Sequence, residues 1–246
     1  MVARAPRPAP VTKPVAARGQ LFRLAGVLVA VAALIFAVGL GLGLAFVGVH
    51  GGGAIQGWDN QVQSWSLHHR GGLVGPAKIV AFVGDAPKLA VVTVIISAVW
   101  WLASRSPVSL VPLAAYLGGE FQVFAIRQII HRHRPPTANY PAPGAVPGVH
   151  ETSFSYPSGH SVAVTAVLIA IAGTAAYIYH RWWPLIPGVI ASMYVVDTRL
   201  VLGVHWFSDV TFGLLLGTTW GLAVAWSGQR LSWQHLTAWI PRRRAP

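Results

Sequence analysis

Six stretches of this chain are apolar for roughly the thickness of a bilayer: 21–49, 79–103, 107–130, 160–180, 182–202 and 205–227. A helix needs about 20 apolar residues to cross the hydrocarbon core, and runs of this length are too long for buried strands. The pattern predicts an all-α protein, an integral membrane bundle of six transmembrane helices. Composition agrees: 54% of residues are hydrophobic, 10% are charged, 11 are Trp, and the mean hydropathy is +0.56. A soluble domain would carry about a quarter charged residues.

The net charge of +12 would suggest a nucleic-acid partner in a soluble protein. Here nine of the 18 Lys and Arg lie in 1–23 and 230–246, beside the outermost spans, which fits the positive-inside rule and anionic headgroups, with no nucleic acid as partner. Residues 1–20 are expected to be a disordered, basic cytoplasmic tail, 21–229 the six-helix domain, and 230–246 a basic interfacial tail. The run 21–49 is too long for a signal peptide and reads as a retained span. Asp85, Pro87 and Lys88 interrupt the start of the second run. Between the first two runs, Trp58, Val62, Trp65 and Leu67 among polar residues suggest a short helix lying in the interface. With no Cys there is no disulfide or thiolate site.

An even number of spans puts both termini on one side. The termini with Arg105 and Arg181 hold eleven of the basic residues, which assigns that side to the cytoplasm. Parity then carries Arg127 and Arg134, Ser158-Gly159-His160, and Arg199, His205 and Asp209 to the opposite membrane face. Ser158, Gly159 and His160 stand where a proline-rich loop turns into an apolar helix, so their N–H groups are the unpaired donors that favour an anion. His205 and Asp209, spaced i, i+4, share one helix face, and the carboxylate can fix the imidazole tautomer. Arg127 and Arg134 are two helical turns apart and project from the same side if the helix continues that far. With Arg199 they would form a clamp of guanidiniums suited to phosphate oxygens.

Arg127-x6-Arg134-Pro135, Pro157-Ser158-Gly159-His160 and Thr198-Arg199-x5-His205-x3-Asp209 together resemble the type 2 phosphatidic acid phosphatase family, whose signature reads K-x6-RP, PSGH and SR-x5-H-x3-D. Order and internal spacing match over 127–209. Arg127 replaces a Lys and Thr198 a Ser, changes that keep the cation and the hydroxyl. The resemblance implies a six-helix membrane phosphatase in which His205, oriented by Asp209, attacks phosphorus and forms a phosphohistidine, while His160 is the general acid and then the base. Arg127, Arg134, Ser158, Gly159 and Arg199 would hold the phosphoryl oxygens. It also implies that no metal or other cofactor is needed.

The substrate so implied is a lipid phosphate or diphosphate at the outer leaflet. A polyprenyl diphosphate such as undecaprenyl diphosphate, the carrier recycled for cell-wall synthesis, is favoured by analogy. Phosphatidic acid and phosphatidylglycerol phosphate are alternatives, as are transfer of the phosphoryl group to another lipid and non-catalytic lipid-phosphate binding. Elsewhere, Asp197 is expected to pair with Arg199 or Arg127. Glu120 faces the bundle interior or a cleft, His131 and His133 form an H-x-H pattern that could bind a metal but is expected rather to tune charge or touch a headgroup, and Gly39, Gly41 and Gly43 permit close helix packing.

Overall fold

The computed structural model describes residues 14–239, with side chains described from 22 to 230. Among the described residues there are eight α-helices and no strand: α1 Pro14–Leu42, α2 Gln56–His69, α3 Val74–Gly84, α4 Ala86–Ser104, α5 Val111–Arg127, α6 Gly159–Ile178, α7 Leu185–Val201 and α8 Phe207–Trp239. Five helical segments among the described residues are long and apolar enough to cross a membrane: Phe22–Val47, Ala86–Ser104, Pro107–Arg127, Gly159–Ile178 and Phe207–Arg230. The protein is a membrane protein.

The expected six-span plan is met with adjustments. The fifth expected span is α7, whose 17 residues extend about 25 Å, short of a core about 30 Å thick. The second is broken into α3 and α4 at Asp85, where the backbone turns extended and Pro87 supplies no N–H. Both expected tails are partly helical. Residues 14–20 belong to α1, while 1–13 lie outside the described residues; α8 runs on to Trp239, and 240–246 lie outside.

α6 is the central helix, and its most extensive partner is α8. Small residues let the two backbones meet. A Cβ on Gly217 or Gly221 would fall into the carbonyls of Val162 and Ala166, so α8 presents a glycine stripe to α6. Against this pair α1 packs with Gly39 touching Ile126 and Leu216, and Gly43, just past its end, lies against Ile130 and Tyr156. Gly41, expected to serve likewise, has no neighbour there. The contacts bury Ile126, Tyr156, Val162, Ala166 and Leu216, and they bring the start of α6 beside the start of α8.

The short helix expected between the first two runs is present as α2, with its polar side turned to the protein. Asp59, Gln63 and Ser66 face the protein and are buried, whereas Trp58 and Trp65 are exposed. Indole rings suit the headgroup region, where an apolar ring and a polar N–H are both satisfied. The polar face therefore turns inward, toward polar partners on the start of α8.

Candidate active site

The three polar clusters expected from the sequence do converge, at the end of the bundle where α5 stops and α6 and α8 begin. Ser158 caps α6 by accepting from the Ser161 N–H at 3.4 Å. Its own N–H is donated to the Asp209 carbonyl at 3.2 Å, so it is not free for an anion. The N–H groups of Gly159 and His160 have no partner among the described residues.

The guanidiniums meet by a different route from the one expected. Helix α5 ends at Arg127, so Arg134 does not lie two helical turns along it. The chain leaves the helix because the His131 N–H is taken by the Val49 carbonyl at 2.7 Å and Arg132 is drawn into buried ion pairs. Arg127 and Arg134 instead share one acceptor, donating to Ser153 Oγ at 3.2 and 3.0 Å. Arg134 and Arg199 share another, the Glu151 carboxylate, at 3.3 and 2.6 Å. Two neighbouring oxygen-bearing side chains thus sit within reach of three guanidiniums, where an oxyanion would find the same donors.

Asp197, expected to pair with Arg199 or Arg127, is exposed, and Glu151 takes that place. Burial alone would raise the Glu151 carboxyl, but the Arg134 and Arg199 charges hold it below its ordinary range. Glu151 lies in a loop outside every recognised motif, so spacing offered no signal for it.

His205 is buried beside this cluster. Its Nε2 lies 3.0 Å from Arg134 Nη1, which can only donate, so Nε2 is the acceptor and Nδ1 carries the proton. Nδ1 faces Asp209 Oδ2 at 3.5 Å and Ser155 Oγ at 3.3 Å. Burial pushes the imidazole well below its ordinary range, and the Arg134, Arg199 and Arg127 charges push the same way. The ring is therefore neutral near pH 7, with a lone pair aimed among cations.

His160 stands on the opposite side. Its Nε2 donates to the Ala81 carbonyl of α3 at 2.9 Å, and no hydrogen bond joins it to His205 or the arginines among the described residues. Next to Arg127 a cavity of about 310 Å³ opens along α5, lined by Glu120, Val123, Phe124, Thr152, Ser153 and Phe154. Glu120 is thus a cleft residue. His131 stacks on Phe154 with centroids 4.6 Å apart, while His133 is exposed, so the H-x-H pair does not converge.

Sequence reasoning passed over Arg132 and Asp59. Arg132, 1% exposed, donates to Asp209 Oδ1 at 2.6 Å, to Ser208 Oγ at 2.7 Å, to Gln56 Oε1 at 3.0 Å, and to Asp59. The signals were a buried-type fork between two exposed-looking histidines and one acid on an otherwise uncharged helix. Removing one member of such a buried network strands its partners at a cost of about 3–5 kcal/mol.

Comparison with known proteins adds to this geometry. The family model described as the PAP2 superfamily matches residues 109–233. An undecaprenyl-diphosphatase of Sulfolobus acidocaldarius is 37% identical over 67 residues, 27% of this chain and 30% of that protein. Phosphatidylglycerophosphatase B of Bacillus subtilis is 40% identical over 85 residues, 30% of this chain and 39% of that protein. The chain therefore spans only about a third of the length of these curated relatives. A crystal structure of a transmembrane PAP2-type phosphatidylglycerolphosphate phosphatase from Bacillus subtilis superposes with a TM-score of 0.61 at 24% identity, covering 87% of this chain and 97% of that one. At that identity the likeness shows the fold.

Proposed function

The chain belongs to the PAP2 superfamily, and from that premise we propose that it hydrolyses the terminal phosphate of a membrane lipid phosphate or diphosphate through a phosphohistidine. The observation that carries this reading is the neutral, buried His205 with its Nε2 lone pair beside Arg134, at the centre of a group of three guanidiniums. Nε2 attacks phosphorus in line, the bond to the leaving oxygen breaks, and Arg127, Arg134 and Arg199 with the Gly159 N–H carry the spreading negative charge. His160 is the group that delivers a proton to the leaving oxygen, turning from the Ala81 carbonyl to do so. It then takes a proton from the water that splits the phosphohistidine. Ser158 contributes as the cap that fixes the helix start, and Asp209 holds the His205 tautomer. No step in this scheme is routed through a metal.

Substrate oxygens replace the Glu151 carboxylate and Ser153 hydroxyl on the arginines, and the cleft past Glu120 takes the adjoining part of the lipid. A polyprenyl diphosphate is the favoured substrate. Phosphatidylglycerol phosphate is the second, suggested by the names of the Bacillus subtilis proteins it resembles. The site faces the non-cytoplasmic side, with both termini in the cytoplasm. The test is phosphate release by detergent-solubilised protein, with chelator present, from a polyprenyl diphosphate, phosphatidylglycerol phosphate and phosphatidic acid in parallel. Release that persists with chelator and is lost in His205→Ala supports the mechanism, and the ratio of rates ranks the lipids. Release unaffected by His205→Ala would end it.

A further inference from the structure

We propose that Arg132 and Asp59 are positioning residues for the nucleophile, acting through Asp209; this rests on the reading of His205 as the attacking group. The Asp209 carboxylate has two oxygens with different duties. Oδ2 faces His205 Nδ1 and also accepts from Ser155 Oγ and from the Trp206 N–H, the latter at 2.9 Å. Oδ1 has one side-chain donor, Arg132 Nη1 at 2.6 Å. That bond holds the plane of the carboxylate, so that the oxygen facing the imidazole stays turned toward Nδ1. The main chain of Arg132 adds a second hold, since its carbonyl accepts from the Ser155 N–H at 2.9 Å and Ser155 in turn bonds Asp209.

Arg132 is itself fixed from α2. Its other nitrogen, Nη2, donates to Asp59 and Gln56. Asp59 also accepts from the Ser208 N–H at 2.8 Å and the Ser208 hydroxyl at 2.7 Å, so it caps the first turn of α8, one residue before Asp209. The Trp206 ring lies 5.4 Å from the guanidinium. Four acceptors fill the two terminal nitrogens of a side chain that is 1% exposed, so Arg132 has no donor there to offer a substrate phosphate. A lysine could supply the charge but not the fork.

The experiment measures kcat, KM and melting temperature in detergent for Arg132→Gln, Arg132→Lys and Asp59→Asn, alone and combined with Asp209→Asn, beside wild type and His205→Ala. Partners that orient a reacting imidazole from one contact away change activity by about 10- to 100-fold, and a kcat loss of that order with KM within about 3-fold is expected for each single variant. Once Asp209→Asn has removed the carboxylate, adding Arg132→Gln should cost less than about 3-fold more, because residues acting in series are not additive. A KM rise with kcat unchanged, or full multiplication of the two losses, would overturn the proposal. If Arg132→Gln does not fold, the kcat of Arg132→Lys and Asp59→Asn decides, and wild-type kcat in both overturns it. An inactive wild type, or an active His205→Ala, would instead sink the underlying functional reading.

Discussion

At the scale of single residues the site is a balance between cations and the side chains that cover them. Glu151 and Ser153 occupy the arginines, so a carboxylate competes with phosphate for the same donors. Glu151→Gln is expected to tighten inhibition by orthovanadate or inorganic phosphate roughly 10-fold, equivalent to about 1.4 kcal/mol, read as a fall in the inhibition constant. A second prediction concerns pH. As the proposed nucleophile His205 can attack only when neutral, and burial with the neighbouring guanidiniums holds its pKa below the ordinary value. The imidazole is deprotonated at every pH above that lowered pKa, so the acid limb of kcat/KM should fall below about pH 6.5, the ordinary histidine value. A limb at or above that value assigned to His205 would contradict the environment described. The convergence of the candidate site residues was largely legible because their spacing carries chemistry. Glu151 was not, since it stands in a loop with no periodicity. Nor was Arg132, because the run His131-Arg132-His133-Arg134 looks like a solvated surface until its fork is found filled.

Among the helices, length and apolarity announced the spans, and Asp85 with Pro87 announced the break between α3 and α4. What could not be read was which glycines matter. Gly39, Gly41 and Gly43 looked equivalent, yet only the contacts of a folded bundle show that Gly41 touches nothing and that α8 uses Gly217 and Gly221 against α6. This contact holds the first turns of α6 and α8 together, and with them Ser158, His160 and Asp209. Gly217→Ala should lower stability by about 1–3 kcal/mol as an overpacked core does, measured as loss of melting temperature in detergent. Gly217→Val should leave little folded protein. Gly41→Ala is the control and is expected to change neither stability nor rate.

For the whole molecule, the arrangement predicts sidedness. The chain contains no Cys, so a single introduced one is a unique label. Thr152→Cys, exposed at the site, should react with an impermeant maleimide added to intact cells, while Arg181→Cys, exposed at the α6–α7 turn, should react only after lysis. The reverse pattern would invert the topology. This orientation is an expectation from charge counting alone, whereas hydropathy could not foresee α2, because a polar face and an aromatic face do not say which one meets water when the neighbouring medium is a headgroup layer. With its indoles outward and Asp59 bonded to Ser208, α2 ties the first turn of α8 to a surface whose chemistry suits lipid headgroups. On the proposed function, the bilayer surface would be the datum from which the depth of the histidine is measured, a built-in gauge for reaching phosphates at the height where lipids hold them.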